Sequence, residues 1–95
     1  MKAYYGCFIY NNKEYVIKFK IAGSLHYNER DRAFIDEKYY VRSVDEVICM
    51  AAFDSHPLNI KGFGIAYLIS WDEYDNKLAN GVKRWTYGQE YIKWD

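Results

Sequence analysis

The chain has 95 residues, enough for one domain but too few for two hydrophobic cores, so we predict a single domain over residues 1–95. With 51% hydrophobic and 27% charged residues, the composition excludes an intrinsically disordered chain. The 13 Lys and Arg balance the 13 Asp and Glu, which argues against nonspecific duplex binding and against an acidic mimic of DNA.

The sequence shows no sign of a membrane or secreted protein. No apolar run approaches the roughly 20 residues that span a bilayer, and the short apolar stretch after Lys2 lacks a signal-peptide cleavage site. Cys7 and Cys49 are two isolated thiols, whereas small disulfide-stabilised proteins usually have four or more cysteines. We therefore expect reduced, buried thiols and a cytoplasmic protein, in the cytoplasm of a host cell if a phage encodes it.

The first two predicted elements form a β-hairpin. Residues 3–10 are mostly apolar, and residues 14–21 alternate cleanly between apolar and polar side chains. Between them, Asn11, Asn12 and Lys13 predict a tight turn, because Asn tolerates positive φ. We predict a long, charged loop over residues 25–38, with a short helical turn as an alternative, and a short third strand over residues 39–41.

One amphipathic helix is predicted over about residues 43–54. Ser43 and Glu46 have the spacing of a capping box, in which each side chain bonds the other residue's main-chain amide. Apolar residues then recur at helical spacing from Val44 to Ala52. Pro57 ends the helix, because the residue before a proline avoids helical torsion angles.

The segment after the helix permits two interpretations. Residues 60–71 alternate as a strand, and a turn within residues 75–81 would connect them to a strand over residues 82–87. We favour this hairpin, because it sets the acidic residues 72–75 across from Lys83 and Arg84. The alternative is a short helix that begins with a second capping box over residues 70–73 and ends at Asn80 and Gly81.

These elements predict an α+β fold: an antiparallel sheet of four to five strands with one helix on one face, in the order β-β-(β)-α-β-β. One helix covers only one face, yet the chain contains 11 Tyr, 5 Phe and 3 Trp. We therefore expect aromatic side chains on the uncovered face, where a partner protein or a second copy of the chain would bind.

The sequence gives little support for catalysis or for a metal or cofactor site. His26 and His56 are far apart, with no cysteine nearby, so no metal is expected. Cys49 lies within the predicted helix, and the sequence shows no neighbouring base. The acidic residues Asp72, Glu73 and Asp75 are typical of a solvated turn. We predict a protein that is not an enzyme and has no cofactor.

Residues 61–67, Lys-Gly-Phe-Gly-Ile-Ala-Tyr, resemble the first half of the RNP1 motif of RNA-recognition domains, and residues 8–11 resemble RNP2. The resemblance implies rings that stack on bases. It covers about a dozen residues and departs from the family at two ring positions, Ile65 and Leu68. The family also has a helix where a second strand follows here. A nucleotide or single-stranded nucleic acid is therefore kept as the alternative ligand.

The aromatic and basic residues near the C-terminus are the predicted binding site, because Trp, Tyr and Arg dominate the binding energy of protein interfaces. We predict a small protein-binding domain that acts as an inhibitor or adaptor by occluding a partner's surface, as phage anti-defence proteins do by analogy. The partner is expected to be a protein of unknown identity, and a homodimer would bury the same side chains. The predicted site residues are Trp71, Tyr74, Lys83, Arg84, Trp85, Tyr87, Tyr91 and Trp94.

Overall fold

The predicted hairpin lies at the centre of the main sheet in the computed structural model, which describes residues 2–94. The chain forms an α+β fold, as the sequence predicts, with two helices and not one. In chain order the elements are β1 Ala3–Tyr10, β2 Lys13–Ala22, β3 His26–Asn28, β4 Ala33–Ile35, β5 Val41–Arg42, α1 Val44–Phe53, a 3-10 turn Pro57–Asn59, β6 Phe63–Ile69, α2 Trp71–Ala79, β7 Lys83–Arg84 and β8 Tyr91–Lys93.

The main sheet has the strand order β6-β1-β2-β7, and β8 also pairs with β2. β1 is antiparallel to both β2 and β6, whereas β7 and β8 run parallel to β2. A second, small sheet has the order β3-β4-β5. The long loop predicted over residues 25–38 is therefore wrong in part, because Tyr27 pairs with Phe34 in a short hairpin. The ring of Phe34 is fully buried, so core packing orders this charged segment.

One face of the main sheet packs against α1 and forms the larger core. Phe8 of β1 and Phe19 of β2 are fully buried there with Ile48 of α1. The predicted N-cap is confirmed, since the Ser43 hydroxyl accepts from the Glu46 amide at 3.3 Å. The second half of the predicted capping box differs: the Glu46 carboxylate accepts from the Ser43 hydroxyl at 3.0 Å and not from the Ser43 amide. Neither helix within residues 2–94 is long and apolar enough to cross a membrane.

The favoured hairpin between residues 60–71 and residues 82–87 is wrong, and the alternative helix follows the first of these strands as α2. The Ser70 hydroxyl caps this helix by accepting from the Glu73 amide at 3.1 Å. Tyr74 packs from α2 onto Cys7 and Val16, on the sheet face opposite α1. The expectation that only one face is covered is corrected accordingly: α2 covers part of the second face.

An ion pair holds α2 on the sheet. The Lys77 ammonium donates to the Glu14 carboxylate at 2.7 Å, and the Cys7 thiol donates to the same carboxylate oxygen at 3.0 Å. The hydrogen bond from Lys77 lowers the pKa of Glu14, and the same bond raises the pKa of Lys77. Burial, with the Glu14 hydrogen bond adding to it, raises the pKa of Cys7 to about 11, so this thiol stays protonated.

We predict that Ser70→Ala lowers the free energy of unfolding by about 1 kcal/mol, because the first turn of α2 loses its cap. Urea denaturation followed by circular dichroism would measure this loss. The matched control is Ser70→Thr, which keeps the hydroxyl and should retain most of the stability. Equal losses in both variants would show that the cap is not what stabilises α2.

We predict that Glu14→Gln lowers stability by up to about 1 kcal/mol at neutral pH, since the pair with Lys77 is only partly buried. The folded-state pKa of Glu14 is depressed, so the contribution of its charge is present above the ordinary carboxyl pKa and is lost as pH falls through the folded-state value. Denaturation of both proteins across acidic pH would test this. A stability difference that persists at the lowest pH would contradict it.

Candidate binding site at a broken sheet edge

The edge of the main sheet beside β2 is interrupted. Val16 pairs with Arg84 of β7, and Lys20 pairs with Tyr91 of β8. The four residue steps from Val16 to Lys20 thus lie opposite seven steps from Arg84 to Tyr91, an excess of three residues. The segment 85–90 takes up this excess by leaving the sheet.

The segment 85–90 is bonded to the C-terminal end of α1. The Gln89 amide donates to the Ala51 carbonyl at 2.7 Å, and the Trp85 indole N–H donates to the Ala52 carbonyl at 2.8 Å. The last carbonyls of a helix have no partner within the helix, so this segment satisfies them. Gly88 allows the close approach: a methyl group there would overlap the Ala51 carbonyl oxygen and lie 2.8 Å from the Ala52 Cα.

The break leaves main-chain groups of β2 without a strand partner. The Val16 carbonyl accepts from the Trp85 amide at 2.7 Å, and the Lys20 amide donates to the Glu90 carbonyl at 2.9 Å. Both residues therefore point their main-chain groups toward this edge, and Lys18 between them must do the same. No residue of β7 or β8 pairs with Lys18. Its N–H and C=O therefore point into the gap.

A cleft of about 480 Å³ lies at the gap, between β2 and residues 84–91. Its lining includes three basic residues, Lys18, Lys20 and Arg84, and one acidic residue, Glu90. The cleft therefore favours a ligand with negative charge. Its lining residues are Ile17, Lys18, Phe19, Lys20, Tyr74, Arg84, Trp85, Thr86, Gly88, Gln89, Glu90 and Tyr91.

Tyr74 contributes a buried polar atom beside the cleft. The side chain is 5% exposed, and its phenolic oxygen has no hydrogen-bond partner among residues 2–94. Buried hydroxyl groups usually have a partner, because leaving one unpaired costs about 1–3 kcal/mol. The Tyr74 hydroxyl is thus a hydrogen-bond donor and acceptor that no residue among 2–94 pairs with.

The structure divides the predicted site residues into three groups. Four of them line the cleft, two others are exposed away from it, and the last two flank it or pack elsewhere. The Trp85 ring also belongs to the core, since it contacts the rings of Phe8, Tyr10, Tyr15 and Phe53. The four residues that line the cleft are Tyr74, Arg84, Trp85 and Tyr91. The two that are exposed away from it are Trp71 and Tyr87. Lys83 is exposed on β7, and Trp94 packs on the core, with the Arg42 guanidinium 5.5 Å from its ring.

Sequence reasoning missed the contribution of β2 to this site. Lys18 and Lys20 alternate with buried Ile17 and Phe19, and this pattern already placed the two lysines together on one sheet face. Nothing in the sequence showed that the neighbouring strand would be interrupted at that point. Among residues 2–94, no three His, Cys, Asp or Glu side chains are grouped so that they could hold a metal ion.

Comparison with known proteins found no match among protein-family models, curated proteins or solved structures.

We predict that Gly88→Ala destabilises the protein by about 1–3 kcal/mol, because the new methyl group has no space against the α1 main chain. Gly64→Ala is the matched control, since a methyl group at Gly64 would meet its neighbours only at 3.6 Å or more. Thermal unfolding of both variants would measure the difference. Equal effects would show that segment 85–90 does not need its close contact with α1.

Proposed function

We propose that this protein is a small, non-enzymatic protein-binding domain that receives an extended, acidic segment of a partner protein in the cleft at the broken sheet edge. The observation that supports the proposal is the unpaired main chain of Lys18, which lies between two strands parallel to β2 and in a cleft that Lys20 and Arg84 also line.

An extended segment satisfies the main chain of Lys18 in the same way as the missing edge strand would. Strand addition of this kind draws affinity from main-chain hydrogen bonds and specificity from alternate side chains. The four residue steps from Val16 to Lys20 span about 13 Å of strand and leave three residues, 17–19, without an edge partner, the length of roughly three to four extended residues. The cleft therefore matches a short acidic segment better than a broad, flat surface.

The side chains around the cleft supply the specificity. Arg84 offers a planar group that bonds a carboxylate through two donors, and Lys18 and Lys20 add positive charge. Tyr91 lines the cleft and is 44% exposed, while Tyr87 is 87% exposed on the segment 85–90. Rings of this kind add contact area at low entropic cost.

An inhibitor or adaptor is the role that this size and surface support. A chain of 95 residues that fixes one segment of a partner can block that partner's own contacts at the same place. Small cytoplasmic proteins with which phages and mobile elements counter host defence act in this manner, and the parallel is one of analogy. Such a protein would act in the cytoplasm of the cell that contains its partner.

We predict that a short, capped peptide of alternating Glu and Val residues binds the protein, and that a peptide of alternating Lys and Val does not. Arg84→Glu should weaken binding at least about tenfold, because it replaces a charge-assisted hydrogen bond with repulsion. Lys61→Glu makes the same charge change at an exposed residue outside the cleft, and should alter affinity by no more than about twofold. Isothermal titration calorimetry would measure the affinities.

Nuclear magnetic resonance would locate the peptide. The Lys18 amide signal should shift on titration, and the Asn12 amide in the opposite hairpin turn should not. Failure of the acidic peptide to bind, or equal weakening by Arg84→Glu and Lys61→Glu, would overturn the proposal.

A nucleotide or single-stranded nucleic acid is the second candidate, because basic residues line the cleft together with Tyr91, which is 44% exposed. Salt dependence distinguishes this candidate, because the affinity for phosphate groups falls steeply as the salt concentration rises. An oligonucleotide that competes with the peptide and loses affinity in this way would replace protein binding with nucleic-acid binding as the function of the cleft.

A further inference from the structure

We infer that α2 opens as a unit: it leaves the sheet while the rest of the fold persists, and it thereby controls access to the Cys7 thiol beneath it. The inference concerns the sheet face opposite α1, and it does not rest on the proposed function.

α2 is attached to the sheet by few buried side chains. Only Tyr74 of its nine residues is buried, whereas α1 buries five of its ten residues. Stability is not uniform within a protein, and segments with few buried apolar contacts open with the smallest free energies. A helix as short as α2 is also not stable in water by itself. Once it loses its contact with the sheet, we therefore expect α2 to unfold locally.

The one buried side chain of α2 contains an unfavourable group. The ring of Tyr74 lies against the ring of Tyr5, with 5.0 Å between the centroids, and packs on Cys7 and Val16. Its hydroxyl is buried without a hydrogen-bond partner among residues 2–94. Because water would pair with this hydroxyl, its burial offsets part of the free energy that burial of the ring supplies. Opening of α2 returns the hydroxyl to water.

The polar attachment of α2 is weak as well. Lys77 donates to Glu14, and these two side chains are 22% and 33% exposed. Within residues 2–94, this is the one hydrogen bond that a side chain of α2 makes with the main sheet. Ion pairs with this exposure contribute little stability, because water screens their charges. The helix should therefore leave the sheet at a much lower free energy than global unfolding requires.

The connections of α2 allow it to leave without breaking the sheet. Ser70 joins it to the end of β6, and Asn80 and Gly81 join it to Val82 before β7. Gly81 has a φ of 94° and has open space around its Cα, so this connection can change its torsion angles freely. β6 is hydrogen-bonded to β1, and β7 to β2. Both flanking strands thus have partners that do not depend on α2.

Cys7 is the reactive group that the opening exposes. Its side chain is 1% exposed and lies in the small core with Tyr74. While α2 is in place, burial raises the pKa of the thiol to about 11, which keeps it protonated and unreactive. Opening removes this burial and lets reagents reach the sulfur. It also removes Tyr74 from the lining of the cleft, so the cleft is complete only while α2 is in place.

We predict that iodoacetamide modifies Cys7 at least about tenfold faster than Cys49, because local opening is more frequent than global unfolding. Cys49 is fully buried on α1 and becomes accessible only when α1 leaves the larger core. Urea should accelerate modification of Cys49 steeply and that of Cys7 weakly, since the slope reflects the surface that each opening exposes. Mass spectrometry of peptides from the labelled protein would measure both rates. Equal rates and equal urea slopes would overturn the inference.

Two substitutions separate opening of α2 from global unfolding. Tyr74→Phe removes the unpaired hydroxyl, so it should slow modification of Cys7 at least about fivefold. It should slow Cys49 by the same factor, because the Tyr74 ring leaves the sheet in the unfolded chain too. Ile48→Val removes one methyl group from the larger core, so it should accelerate Cys49 about two- to tenfold and leave Cys7 unchanged.

A third substitution tests the ion pair. Lys77→Met removes the charge and keeps an aliphatic side chain, so it should accelerate modification of Cys7 by up to about fivefold. Lys61→Met is the matched control, since Lys61 is exposed in the turn before β6, and it should leave the rate unchanged. A Cys7 rate that neither Tyr74→Phe nor Lys77→Met alters would overturn the inference. So would a Cys7 rate that Ile48→Val accelerates together with that of Cys49.

Discussion

The hydrogen bonds that segment 85–90 makes with the end of α1 determine the shape of this protein. Ala51 and Ala52 present carbonyl groups that the helix cannot satisfy, and the Gln89 amide and the Trp85 indole supply the donors. Because segment 85–90 is hydrogen-bonded to the end of α1, it cannot also pair with the middle of β2. The satisfied helix end and the open cleft are therefore two results of one set of bonds, and Gly88 is the residue that lets the two backbones meet.

The two faces of the sheet are covered by different physical means. α1 buries an apolar stripe against a core rich in aromatic rings, where Phe8 stacks with several neighbours. α2 is mostly polar and contributes chiefly Tyr74 to a small second core, so it also depends on the ion pair between Lys77 and Glu14. Glu14 accepts from the Cys7 thiol as well, which ties the helix, the strand and the buried thiol into one group. The smaller helix leaves Ile65 and Tyr67 in solvent.

Both edges of the main sheet expose main-chain groups, and they do so in different ways. Beside β2 the gap is short and is lined by three basic residues and one acidic residue, which is the basis of the proposal that an acidic segment binds there. At the other end of the sheet, β6 contains no charged residue and pairs on one side only, with β1. The two edges lie on opposite sides of the same sheet, so occupation of one leaves the other free.

The sequence by itself determined the elements whose signals are local. Alternation specified the β1–β2 hairpin, and the capping box with its apolar stripe specified α1, so the α+β class is confirmed. Four predicted site residues, Tyr74, Arg84, Trp85 and Tyr91, line the cleft because they lie in the segments that form it. The hairpin between residues 60–71 and 82–87 is wrong because its supposed charge pairs are weak evidence, whereas the helix buries Tyr74 on the second face of the sheet. Only the tertiary structure decided that β7 and β8 run parallel to β2, that the edge breaks beside Lys18, and that β6 ends the sheet. These features depend on contacts between residues far apart in the chain, such as Gln89 with Ala51, and no local pattern encodes them.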